Sequence, residues 1–515
     1  MTSFRPRASR FVLLVLAVCG VPATWTACAH DVDSTLPGSS DGGKVAASSG
    51  GANHAGSSFA GTSSGGFSLG GSSSGGSSWA ASGGVSSGAA AGASSSLSGS
   101  GGGGSSSVGG GTSAGAGASM GGSAGATTAT GGAAGAGSGG FAGASGAAGI
   151  PGLGSCVLPN GANFEVVQAN YEKWKATLLT ADGAGGFLRV QRPNSGTQVR
   201  SSNSEGIAYG LEIAVYMNDQ TTFDQLWKYE QIHLGKNGLM EWEISPTGTV
   251  LGSGAASDGD EDMAFALVMA HAKWGGQGTL SDTYLNYAKK QIDLIWKFEV
   301  DHSRNDVLTP GDNFADGSVI NISYFAPAYY RIFGQVTGKQ AEWNRVAKTS
   351  YDVIEATLNA ANKNQSNGLV PAWSTPAGVP MAPPGSGHPT YHQLDSCRTP
   401  FRVAQDYCWF NEPRALDYLK KITAFYAAIG ANNIVDGYDL DGKPHPKVNS
   451  PLAAFVGGAA AGAMALPEYA KLRDESYVAL AGWQTLLGDS IYYNYSWSML
   501  SLLMLTGKFV NLQPQ

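Results

Sequence analysis

The chain has 515 residues, of which 13% are charged, and a formal net charge of −7 at pH 7. No basic stripe interrupts that acidic balance, which argues against a nucleic-acid partner. The 8 His are scattered without metal-ligand spacing, and no phosphate-binding or nicotinamide fingerprint occurs in the part able to fold, so neither a metal nor a cofactor is expected.

Residues 1–29 read as an export signal. Arg5, Arg7 and Arg10 precede the apolar run 11–21, which is too short to span a bilayer as a helix. Ala27-Cys28-Ala29 fits ordinary signal cleavage. Cys28 also suits a bacterial lipoprotein with a lipid anchor, although Trp25 stands where Leu is usual. Both readings stay open. Residues 30–154 follow, dominated by Gly, Ser, Ala and Thr. Such a tract buries too little apolar surface to offset its chain entropy and reads as a disordered linker. Gly61-Thr62-Ser63-Ser64-Gly65 imitates a nucleophile elbow but lies in this linker, without the strand and helix that the motif requires.

Residues 155–515 hold all but Trp25 and Trp79 of the 12 Trp and are long enough for one domain with a substantial core. The apolar period is helical nearly throughout, with about twelve helices expected. In chain order they cover 164–179, 204–217, 222–236, 259–274, 281–300, 322–336, 342–362, 398–410, 413–429, 451–466, 467–483 and 493–506. Pro413 and Pro467 stand where a first helical turn tolerates proline. Only 239–251 hints at a small hairpin. Twelve helices in hairpin order, in one monomeric domain without a constant repeat, suit a closed double ring, an all-α toroid. Cys397 and Cys408 fall at opposite ends of one expected helix, too far apart to bond, and Cys156 has no evident partner, so no disulfide framework is expected.

Three acidic motifs lie at helix mouths. They are Ser204-Glu205-Gly206 with Tyr209-Gly210, Ala256-Ser257-Asp258-Gly259-Asp260 with Met263-Ala264, and Asp395 with Cys397-Arg398-Thr399-Pro400 and Arg402. Asp258, Asp260 and Asp262 imitate the start of a calcium loop. Met263 and Met269 stand where that loop needs Gly and Glu, which excludes it.

Together with Gly238-Leu239-Met240-Glu241-Trp242 and the stretch from Pro451 to Gly457, these motifs resemble glycoside hydrolase family 8 over about 164–506. The resemblance implies an (α/α)6 barrel and hydrolysis of a β-1,4-linked polysaccharide with inversion. It assigns Glu205 as general acid, Asp395 as general base and Asp258 as the residue that holds the sugar at the cleavage point. Having Asp395 points toward a neutral glucan or xylan rather than chitosan. The chemistry is intelligible from the residues. One carboxylic acid must protonate the leaving oxygen while another carboxylate, on the opposite face, activates water. Arg398, three residues after Asp395, could brace it or bind sugar, as could Arg402. Tyr209 and Trp242 are candidate sugar platforms. Cellulose-type glucan is the first expected substrate and xylan the second. A polysaccharide lyase on a similar toroid and a catalytically dead glycan-binding protein are the rival classes.

Overall fold

The computed structural model describes residues 152–313, 317–384, 386–448, 450–482 and 490–514. The expected export signal and all but the last residues of the expected linker lie outside the described residues. The packed domain starts slightly earlier than the expected boundary at 155, because Leu153 is wholly buried in the core.

Twelve α-helices follow one another among the described residues. They are α1 (Phe164–Leu178), α2 (Ser204–Met217), α3 (Gln220–Gln231), α4 (Ser257–Trp274), α5 (Tyr284–Phe298), α6 (Pro327–Thr337), α7 (Gln340–Thr357), α8 (Arg398–Phe410), α9 (Pro413–Ile429), α10 (Ala453–Met464), α11 (Ala470–Gly482) and α12 (Ile491–Leu505). Pro413 opens α9 as expected, whereas Pro467 opens a 3₁₀ turn that precedes α11.

The even-numbered helices form a closed inner ring, α2 against α4, then α6, α8, α10, α12 and back to α2. Their sequences explain the position. Every residue of α10 is buried, as are Ser204 to Tyr216 of α2 and Tyr492 to Leu505 of α12. A helix apolar all round is stable only inside other helices. The odd-numbered helices carry a single apolar stripe, such as Tyr284, Ala288, Ile292 and Ile295 on α5, and lie outside. The ring is tight where α10 meets the start of α8: a Cβ at Gly458 would stand 2.7 Å from the Cys397 carbonyl oxygen. These are the two concentric layers of an (α/α)6 barrel.

The two ends of the barrel differ. Asn218, Gly338 and Asn411 end α2, α6 and α8 in the left-handed conformation, and the next outer helix starts within two residues. The return connections, from outer to inner helices, are long and hold every short strand among the described residues. Three antiparallel ribbons tie these loops together. Ser202–Asn203 pairs with Glu243–Ile244, which pairs with Val250–Gly252, Ile320–Asn321 pairs with Trp373–Ser374, and His392–Gln393 pairs with Gly437–Tyr438. The expected hairpin at 239–251 supplies the second and third strands of the first ribbon. All the inner helices therefore present their N-termini to one looped mouth.

One expectation is corrected. Cys156 is bonded to Cys408, 252 residues away, while Cys397 is free and buried. Spacing along the chain could not reveal this pair, because it forms where the start of the domain folds back onto the far end of α8.

Candidate active site

Glu205 is the second residue of α2. Asn203 caps that helix, its side-chain oxygen accepting from the Gly206 amide at 3.0 Å, and this sets the Glu205 side chain in the first turn. Asp258 occupies the equivalent position in α4. Ser257 before it donates to the Thr309 carbonyl at 2.6 Å, fixing the helix start against the neighbouring loop. Asp395 stands in the 3₁₀ turn Leu394–Cys397 that runs directly into α8. Helices α2, α4 and α8 each direct a partial positive charge toward these carboxylates.

The three are gathered on one guanidinium. Arg398 Nη1 donates to Glu205 Oε2 at 2.7 Å and to Asp258 Oδ2 at 2.5 Å, and Nη2 donates to Asp395 Oδ1 at 3.2 Å. Its Nε donates to Ser323 Oγ at 3.1 Å, and its plane lies 5.0 Å from the centre of the Tyr324 ring. Glu205, Asp258, Asp395 and Arg398 are all buried. Burial works against the arginine charge, but Tyr209, Tyr493, Asp258 and Glu205 around it more than compensate, so its pKa lies well above the ordinary value. One cation faces three carboxyl groups.

Further polar groups complete the cluster. Tyr492, on α12, donates to Glu205 Oε1 at 2.6 Å, and Asn321 Nδ2 donates to Asp395 Oδ2 at 2.9 Å. Neither was singled out from the sequence. Asn321-Ile322-Ser323-Tyr324 opens an expected helix just as Glu205 does, so its position was a usable signal. Nothing near Tyr492 in the sequence marks it, since it meets Glu205 across 287 residues.

Two expected binding residues take other places. Arg402, one turn into α8, neither contacts Asp395 nor faces the mouth. It forks onto Asp262 at 2.7 and 3.0 Å and lies 3.5 Å from Glu261, all buried. Tyr209 is 1% exposed, its ring packed between Tyr492 and Trp497, which leaves no open face for a sugar. The helix carrying it is buried all round, so one turn beyond Glu205 leads inward. Trp242 remains half-buried at the rim. Its carbonyl accepts from the Ser204 amide at 3.0 Å, and its indole fills the space that a side chain at Gly252 would need. No cluster of His, Cys, Asp or Glu among the described residues could hold a metal ion.

Comparison with known proteins identifies the family of the barrel. Residues 159–507 match the family described as glycosyl hydrolases family 8. Endoglucanase A of Acetivibrio thermocellus is 38% identical over 355 residues, 67% of this chain and 70% of that protein. Endoglucanase 2 of Ruminiclostridium josui is 38% identical over 360 residues, 68% and 74% of the two chains. Among solved structures, the apo β-1,3-1,4-glucanase of Paenibacillus sp. X4 superposes with a TM-score of 0.62 at 26% identity, over 69% of this chain and 95% of that one. Rex8A of Paenibacillus barcinonensis, complexed with xylose, shares the fold with a TM-score of 0.57 at 23% identity, over 69% and 96%. The match spans the whole barrel and all three acidic motifs, and the chain belongs to family 8 of the glycosyl hydrolases.

Proposed function

We propose that the protein is an inverting endo-β-1,4-glucanase in which Glu205 is the general acid, Asp395 the general base and Asp258 the residue that holds the sugar ring at the cleavage point. The observation that carries this reading is the gathering of three carboxyls, from three separate helix starts, on the single guanidinium of Arg398. Inversion needs two carboxyls that do different work on opposite faces of one sugar. Groups delivered from separate walls of a barrel mouth suit that need. The Tyr492 hydroxyl donates to Glu205 Oε1 and holds it in place, and as the acid Glu205 carries a proton when substrate is bound. That proton passes to the departing glycosidic oxygen. Asp395, which accepts from Arg398 and Asn321, takes a proton from the attacking water.

The endoglucanases named above support glucan as the substrate. Xylan is the second reading, because a reducing-end xylose-releasing exo-oligoxylanase of Paenibacillus barcinonensis is 27% identical over 328 residues. The test is release of reducing sugar from carboxymethyl-cellulose, mixed-linkage β-glucan, xylan and chitosan. Highest turnover on xylan would replace the glucan reading. An absorbance gain from unsaturated products would indicate a lyase, and glycan binding without turnover a dead enzyme.

The sequence also supports export of a monomer, with residues 1–29 as the signal and the tract from 30 up to the packed domain as a linker that takes no part in catalysis. Acyl labelling at Cys28, abolished by Cys28→Ser, would establish a lipid anchor. An unacylated mature N-terminus would establish release. A chain starting at Gly152 is expected to fold and keep its specific activity on soluble substrate, and loss of either would refute the linker boundary.

A further inference from the structure

Asn321 and Ser323 lie just before α6, on the wall between α4 and α8, and belong to none of the three acidic motifs. Both are buried. Their hydrogen bonds can run in one direction only. The Ser323 amide, which can only donate, points at Asn321 Oδ1 at 3.1 Å, and the Ser323 hydroxyl donates to the same oxygen at 2.7 Å. This fixes the amide, so that its nitrogen and not its oxygen faces Asp395, at 2.9 Å. Having given its proton to Asn321, the Ser323 hydroxyl turns a lone pair toward Arg398 Nε, again a group that only donates. The circuit closes where Arg398 Nη2 reaches the other oxygen of Asp395. Each oxygen of Asp395 thus receives one donor, and the two donors come from different walls of the barrel. The backbone of Asn321 is itself held in the ribbon that pairs it with Trp373.

We propose that Asn321, its amide oriented by Ser323, is the positioning residue of the water-activating step. Two donors from separate elements fix the plane of the Asp395 carboxylate, and with it the direction of the lone pair left for water. This inference rests on the reading of Asp395 as the base.

The test compares kcat and KM for a soluble β-glucan and for β-cellobiosyl fluoride, whose leaving group needs little help from an acid. Asn321→Asp keeps the oxygen that Ser323 binds and replaces the donor by an acceptor. Asn321→Ala removes both. Each is expected to lower kcat roughly ten- to a hundredfold, the range of one hydrogen bond to a charged group, by a similar factor on both substrates and with KM little changed. Ser323→Ala, which frees the amide to turn, should cause a smaller loss of the same pattern and serves if either Asn321 variant fails to fold. A purely structural role would lower the melting temperature and the amount of active enzyme without this pattern. Folded variants with native kcat, or a loss much smaller on the fluoride than on glucan, would overturn the proposal. Asp395→Asn separates the two claims. If it still hydrolyses the fluoride, the base assignment itself fails. If it is inactive while the Asn321 and Ser323 variants are native in rate, only the positioning role falls.

Discussion

Gly259 of α4 lies against the first turn of α2 so closely that a Cβ on it would stand 3.0 Å from the amide nitrogen of Glu205. The glycine after Asp258 thus sets the distance between two functional helix starts. Gly259→Ala is expected to push α2 and α4 apart and cost about 1–3 kcal/mol of stability, the usual range for overpacking. Its kcat should fall more than its melting temperature alone explains, because Glu205 and Asp258 move relative to one guanidinium. Thermal unfolding and steady-state kinetics on one preparation check this. A native kcat would show that the approach is not tied to catalysis.

Glu205→Gln keeps the shape of the side chain and removes its proton. Turnover on glucan should drop by roughly 10²–10⁴-fold, the contribution of general acid catalysis, and on β-cellobiosyl fluoride by much less. Equal losses on the two substrates would remove Glu205 from the acid role.

If Asp395 activates water, a β-linked substrate must first yield the α-anomer, since water enters opposite the departing oxygen. Proton NMR of the earliest product, before mutarotation, reads this directly. An initial β-anomer would make Asp395 or Asp258 a nucleophile in a retaining reaction.

Arg402 is predicted to act on stability and not on sugar binding. Arg402→Met strands Asp262 and Glu261 in the interior, both with pKa values already raised by burial. Removing one partner of a buried pair costs about 3–5 kcal/mol, visible as a large fall in urea midpoint. A native midpoint with a raised KM would instead place Arg402 in contact with substrate.

Stability should fall on the alkaline side. Burial pushes Glu230 up to about 8 and holds His392 down to about 4. The folded state therefore keeps a proton on Glu230 that the unfolded chain releases, and this contribution is lost as pH rises toward 8. For His392 the sign is opposite: its contribution is present above its ordinary pKa of 6.5 and is lost as pH falls toward 4. Above 6.5 only Glu230 of these two still titrates. There its slope is at most about 1.4 kcal/mol per pH unit. Urea midpoints at about pH 6 and about pH 8.5 should differ in the native protein and differ less in Glu230→Gln. An unchanged difference would exclude Glu230 as the cause.

The barrel was legible in the sequence because helix burial is written locally. The all-apolar run of α10 and the single stripe of α5 mark inside and outside without any knowledge of partners. The three carboxyls and Arg398 were legible because each lies in a short motif at a helix start. What escaped were pairings between distant segments: Cys156 with Cys408, Tyr492 with Glu205, and Asn321 with Asp395. Each depends on which walls meet, and no periodicity carries that information. Tyr209 and Arg402 were misplaced for a related reason. Proximity along a helix was read as proximity to the mouth, yet one turn along an inner helix leads down into the barrel, away from the mouth.

The cystine between Cys156 and Cys408 also decides where the chain enters the barrel. It fastens the beginning of the domain to the last turn of α8, whose first residue is Arg398. Beside it, the Val157 amide bonds the Met464 carbonyl at the end of α10. The polypeptide therefore joins the barrel at the floor, about 15 Å of helix away from the carboxyl groups at the 1.5 Å rise of each α-helical residue. A pull on the N-terminal segment is borne by the floor and leaves the loops of the mouth unloaded.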